Sequence, residues 1–344
     1  MRVLNLLPLS LGAYFFQAIP LWLGATSSGV LADPSDEAED VFVENLLSSM
    51  SLRDKIGQMA QMEINALVED DGNGGKRVND AQAQKFIQEY GIGSVLNLIN
   101  DIGDAPWSTQ QYRSIGLQLQ EYAQRGGKPP VIWGIDNVHG SNYFRDGTWA
   151  PSPLNLAATF NKTNAHIAGQ WASHDTRVAG MTWVFSPLLG IAWAQGAFFS
   201  RIYETFGEDP FWVGEMATAL IQGIEAPDAI DPSTIPSHTA ACGKHFVGYS
   251  FPRTGHDRAP SWIPTRHLYQ YFMLPWFKAM KETNLQTIME SYTETDGVPN
   301  VANPRHLRYL LRYRMKFDGV LVTDYNEINV RMRDNTLFED STWR

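Results

Sequence analysis

Phe317-Asp318-Gly319-Val320-Leu321-Val322-Thr323-Asp324-Tyr325 is the stretch on which the fold turns. Its unbroken β-branched and apolar run reads as a strand buried on both faces, the pattern of a parallel sheet. The carboxylate at its C-terminal end stands where parallel α/β barrels keep their chemistry. Twenty residues follow Asp324.

Working back from that strand, residues 56–64, 93–98, 131–136, 182–186, 239–246 and 286–292 have the same character, and 319–324 is the seventh run. Amphipathic stretches at 80–90, 108–124, 162–178, 210–224, 266–282 and 304–313 lie between them and predict helices. Strand and helix in alternation imply βαβ units and a parallel sheet. The expected fold is therefore α/β, a TIM-type (β/α)8 barrel in which seven strands are recognisable and an eighth is not.

Several of these strands end in groups that a core does not want. Asp136 closes Val131-Ile132-Trp133-Gly134-Ile135, and Lys244 with His245 follows Ala240-Ala241-Cys242-Gly243. Glu290, Ser291 and Tyr292 follow Thr287-Ile288-Met289, and Asp324 closes the last run. Any one of them alone is adequately explained as a structural hydrogen bond or ion pair. In a barrel, however, strand ends converge on one rim, so four in register imply a shared pocket.

Composition narrows what that pocket handles. The 344 residues suit one large barrel or two average domains, and 44% hydrophobic with 19% charged residues argues against disorder. A net charge of −10 disfavours nucleic acid and anionic membranes as partners, since both call for basic surface. Eleven Trp and thirteen Tyr suit stacking on sugar rings, although packing alone explains most of them. The single Cys242 excludes an intramolecular disulfide framework and reads as a small buried thiol.

The N-terminus has a basic start at Arg2, an apolar run through residue 25 and a small-residue exit at Val30-Leu31-Ala32. That is the pattern of a secretory signal peptide over 1–32, with an uncleaved anchor as the alternative. The expected location is secreted, extracellular. Asn161-Lys162-Thr163 is an N-glycosylation sequon, with Asn161 the acceptor. An acidic linker over 33–45 is expected to precede the barrel.

No Gly-x-Ser-x-Gly elbow or phosphate loop occurs, so activated-serine and P-loop chemistry lack support. The Asp70-Asp71-Gly72-Asn73-Gly74-Gly75 run lacks calcium-loop register and reads as a flexible loop. His238 and His245 have no third ligand nearby, and neither a metal nor a cofactor is implied. Carboxylates beside Lys244, His245 and Arg201 suit a neutral polyol such as a sugar. A strand-end aspartate can attack an anomeric carbon, with a second carboxyl as acid and base. Composition leaves a non-catalytic sugar-binding barrel equally open.

Six segments, in order, carry a resemblance. They are Lys55-Ile56-Gly57-Gln58-Met59, Asp136-Asn137-Val138-His139-Gly140, the run Arg201-Ile202-Tyr203-Glu204-Thr205-Phe206-Gly207-Glu208-Asp209-Pro210, Gly243-Lys244-His245-Phe246-Val247-Gly248-Tyr249, Glu290-Ser291-Tyr292-Thr293 and Val322-Thr323-Asp324-Tyr325. In these the chain resembles glycoside hydrolase family 3, in particular its secreted β-glucosidases and exo-glucanases, from about Ser51 to Asn329. The resemblance implies Asp324 as nucleophile, with Asp136, Arg201, Lys244 and His245 binding sugar hydroxyls. Tyr292 falls on the aromatic beside the nucleophile. Glu208 and Asp209 read as structural before Pro210, and His139 as a brace for its loop.

Two departures refine the expectation. Members that remove N-acetylglucosamine carry a histidine acid in a Lys-His-Phe-Pro-Gly-His-Gly context, and here the run is Lys244 to Tyr249 followed by Ser250-Phe251-Pro252. The resemblance therefore points to retaining hydrolysis of terminal non-reducing β-D-glucosyl residues, with a β-glucoside or oligosaccharide as substrate. Such members take the acid/base from an α/β sandwich after the barrel. The second departure is at the end: residues 330–344 lack apolar periodicity and read as a divergent tail to a barrel domain spanning 46–329. The alternative is an inactive sugar-binding barrel or a truncated pseudogene product. A Schiff-base enzyme using Lys244 is disfavoured by the adjacent His245.

Overall fold

The computed structural model describes residues 34–73, 75–97, 107–193, 199–225 and 239–327. The signal-peptide reading of 1–32, His238 and the tail 330–344 lie outside them. Seven strands form one sheet: β1 (Gln61–Glu63), β2 (Ser94–Leu96), β3 (Ile132–Ile135), β4 (Trp183–Val184), β5 (Ala240–Phe246), β6 (Thr287–Glu290) and β7 (Val320–Val322). Every neighbouring pair is parallel, and spatial order follows chain order. Each step from one strand to the next crosses over through a helix, as parallel pairing requires. The longest of these helices are Thr109–Arg125, Lys162–Val178 and Pro210–Glu225. This is the TIM-type arrangement without an eighth strand among the described residues.

Side chains alternate between two cores along the strands, as a period of two dictates. Trp183, Phe185, Ala240, Cys242 and Met289 face the concave interior with Leu96, Ile132 and Val322. Their chain neighbours Val184, Ala241 and Ile288 pack outward against Val213, Met216, Leu220 and Trp276 of the crossover helices. A separate cluster centred on Tyr112, Trp133, Ile135 and Phe144 holds the first three strands to Thr109–Arg125. Strands β5 and β6 are buried throughout, whereas β1 and β7, at the two ends of the sheet, are only half-buried. Cys242 is fully buried with its thiol pushed up to about 12 by desolvation, which makes it inert packing.

Four expectations need correction. The run 56–64 is not one strand: Leu52–Met59 is a helix and only Gln61–Glu63 is extended. Ser51 accepts from the Asp54 N–H while Asp54 accepts from the Ser51 N–H, and this capping box starts a helix where apolar content alone suggested a strand. Of the acidic segment expected as a linker, residues 34–45 are helical, within Pro34–Ser49. Val68–Asp70 and Lys76–Val78 pair as a hairpin where only a flexible loop was expected, and the Asp71 carboxylate between them accepts from the N–H groups of Asn73 (2.7 Å) and Gly75 (2.9 Å). Finally, the helix expected over 266–282 is broken into Thr265–His267, a wide-turned Leu268–Phe272 and Leu274–Glu282. Pro275 sits in the first turn of the last piece, where its missing N–H costs nothing. No described helix is long and apolar enough to cross a membrane.

Candidate active site

The polar strand ends meet as the alternation predicted. Asp136 lies just past β3, Lys244 and His245 in the C-terminal half of β5, Tyr292 two residues past β6, and Asp324 two past β7. Arg201 enters on the long connection after β4, just before the short helix Ile202–Glu204. Adjacent strand residues normally face opposite sides of a sheet. A register shift between Gly243 and Phe246 against β6 breaks that rule here, and both Lys244 and His245 reach the rim.

Two contacts define the centre. The buried Lys244 ammonium donates to Asp136 Oδ1 at 2.5 Å. His245 Nε2 stands 3.4 Å from Asp324 Oδ2. Burial, followed by the charges of Arg201, Lys244 and Arg258, drives the His245 pKa well below its ordinary value. The imidazole is therefore neutral, and its contact with Asp324 is not an ion pair despite the short distance. Burial pushes Asp324 up to about 7 against the opposing pull of the Tyr325 N–H, Lys244 and Arg201. The Tyr325 N–H donates to Asp324 Oδ1 at 2.6 Å, while Oδ2 carries no hydrogen bond.

The remaining members are tied in around this centre. Glu204 grips Arg201 with two parallel bonds, Nε to Oε1 at 2.7 Å and NH2 to Oε2 at 2.8 Å. Tyr292 packs with Phe199 and Tyr249, and the Arg258 guanidinium lies 4.2 Å from its ring centroid. Burial and the Asp324 charge hold the Tyr292 phenol protonated, above its ordinary value. Asn161 makes none of these contacts. It is exposed and caps the helix Lys162–Val178, its side chain accepting from the Thr163 N–H at 3.0 Å. Asp209 likewise caps its helix, accepting from the Phe211 N–H at 2.9 Å. The His139 carbonyl accepts from the Ala150 N–H at 3.0 Å, which closes the loop after Asp136.

Sequence reasoning gave no role to Glu204, Tyr249, Asp257 or Arg258. Glu204 had a local signal, being three residues from an arginine with a short helix between them. Tyr249 was visible only as a departure from another subgroup's motif. Asp257 and Arg258 sit on an irregular loop with no pattern to find. Among the described residues no His/Cys/Asp/Glu group has metal-site geometry.

A parallel barrel sheet whose C-terminal rim gathers a buried aspartate, a neutral histidine, a lysine–aspartate pair and a clamped arginine has the form of an α/β-barrel enzyme site. The sequence profile of the glycosyl hydrolase family 3 N-terminal domain matches residues 51–342, and the chain belongs to that family. The match continues past 329, where the individual motifs end. The lysosomal beta glucosidase of Dictyostelium discoideum is 38% identical over 298 residues, covering 85% of this chain and 36% of that protein. A beta-xylosidase of Formosa agariphila is 29% identical over 209 residues, 60% of this chain and 28% of its own. Among solved structures, the exo-1,3/1,4-beta-glucanase of a Pseudoalteromonas species superposes with a TM-score of 0.73 at 25% identity, over 87% of this chain and 35% of that one. The chain spans about a third of the length of these relatives.

Proposed function

We propose that this chain is the nucleophile-bearing barrel of a retaining β-glucosidase that removes terminal non-reducing β-D-glucosyl residues. The observation that carries the reading is Asp324: a buried carboxylate at a strand end with Oδ1 held by a backbone N–H and Oδ2 beside His245 without a hydrogen bond. Asp324 Oδ2 attacks the anomeric carbon as the bond to the aglycone oxygen breaks, and the resulting glycosyl ester is then opened by water. Lys244, Asp136, Arg201 and His245 bind the ring hydroxyls, and Tyr292 flanks the nucleophile. The acid/base that protonates the leaving oxygen is expected from beyond the barrel, and without it the rate is lower by about 10²–10⁴ for poor leaving groups. Secretion follows from the signal-like residues 1–32 and from the exposed sequon at Asn161.

The test is covalent trapping. An aryl β-glucoside fluorinated at C2, with a leaving group that departs unprotonated, should add one sugar mass to the Asp324 peptide. Asp324→Asn should abolish the adduct, and the β-xyloside analogue should label more slowly. Labelling elsewhere, or none at all, would overturn the assignment, and faster xyloside labelling would move the substrate class. On material from a secretory host, the same mass map should show a glycan on the Asn161 peptide.

A further inference from the structure

The Tyr249 phenol is not among the sugar-contacting positions, yet it touches two of them. It is buried, its ring lies 4.5 Å from the His245 ring, and its oxygen meets NH1 of Arg201 at 3.1 Å. Its O–H donates to Asp257 Oδ1 at 2.6 Å. An ionised carboxylate can only accept, so the one phenol proton is committed to Asp257 and the oxygen lone pairs are left for Arg201. Arg201 has already given Nε and NH2 to Glu204. A guanidinium has five N–H groups; with three held by protein, one remains on each terminal nitrogen for a ligand.

We propose that Tyr249, pinned by Asp257, is a positioning residue that orients Arg201 and His245 so that their free donors meet sugar hydroxyls. This rests on the reading of the rim as a sugar pocket. The loop carrying Asp257 also carries Arg258, which lies over Tyr292, so one loop braces the hydroxyl-binding side of the pocket and the nucleophile side together. Tyr249→Phe keeps the ring stacking and removes only the hydroxyl. That leaves Arg201 with a loose N–H and Asp257 with only the Arg258 guanidinium, 3.9 Å away.

Glucose titrated calorimetrically into the purified chain tests the proposal without relying on turnover. Tyr249→Phe should weaken glucose binding by about tenfold or more, the usual effect of losing a hydrogen bond to a charged group. Asp257→Ala should follow it, while Asp257→Asn, which keeps an accepting oxygen, should stay close to wild type. In an Arg201→Lys background the Tyr249→Phe effect should largely vanish, because a lysine does not present the same fork. Equal affinity in wild type and Tyr249→Phe, or the same loss in both backgrounds, overturns the positioning role. A wild-type chain that binds no glucose overturns the sugar-pocket reading itself, and the role of Tyr249 with it. Should Tyr249→Phe fail to fold, Asp257→Ala at the exposed end of the chain of contacts decides the matter.

Discussion

At the scale of single residues, the site depends on the protonation of Asp324. Its carboxyl is pushed up to about 7 by burial. Only the ionised form can attack, so kcat/KM on an aryl β-glucoside should fall about tenfold per pH unit below that value. Asp324→Glu should be nearly inactive because the longer arm misplaces the oxygen. A profile flat down to pH 5 would show that Asp324 is already ionised in the free chain and would overturn its elevation by burial. The neutral His245 fits the same picture: a charged imidazole 3.4 Å from the carboxylate would stabilise the anion and blunt its attack. The sequence placed Asp324, Asp136, Lys244 and His245 at strand ends from the apolar runs that precede them. It held no hint that Lys244 pairs with Asp136, 108 positions away, because that pairing exists only once the strands lie side by side.

At the scale of elements, the strands are specified by what lies across from them. Gly134 in β3 is an example: a Cβ there would sit 2.2 Å from Phe185 Cζ. Phe185 is buried and packs edge-on against Trp183 at 4.9 Å, so it has nowhere to retreat. Gly134→Ala should therefore cost about 1–3 kcal/mol by urea denaturation, with part of the loss recovered in the double variant with Phe185→Leu. An unchanged midpoint would mean that the interior layer is looser than its geometry implies. Six of the seven strands were legible as short apolar runs and the six crossover helices as amphipathic stretches, although the one over 266–282 is interrupted. The failures came where local polar bonds overrode that signal. The Ser51–Asp54 capping box made a helix of an apolar run, and the Asp71 turn made a hairpin of a glycine-rich loop.

At the scale of the whole molecule, buried titratable groups set how stability depends on pH. Burial lowers His306 to about 4 and His245 well below its ordinary value, so both stay neutral in the folded chain and charge when it unfolds below about pH 6.5. Their contribution is present above that pH and is lost as pH falls. Asp324, raised to about 7, works in the opposite sense: protonated in the folded chain and ionised in the unfolded one, it favours folding at acid pH and loses that contribution as pH rises through 7. Glu225, pushed up to about 8 by burial, acts in the same sense as Asp324, so from pH 6.5 to 4.5 the two histidines and the two acids cancel and stability should change little. Asp324→Asn removes one of the two opposing carboxyls and should produce a fall of about 1.4 kcal/mol per pH unit as pH drops. Equal slopes in urea titrations of the two proteins would contradict the burial of Asp324. The sequence by itself determined the α/β class, the order of strands and helices, and which acids and bases stand at strand ends, because periodicity and strand direction are local properties of a chain. Only the tertiary structure decided that Glu204 clamps Arg201, that Tyr249 and Asp257 brace it, and that His245 is neutral. Those depend on which groups share a low-dielectric pocket, and desolvation and hydrogen-bond geometry act through space rather than along the sequence.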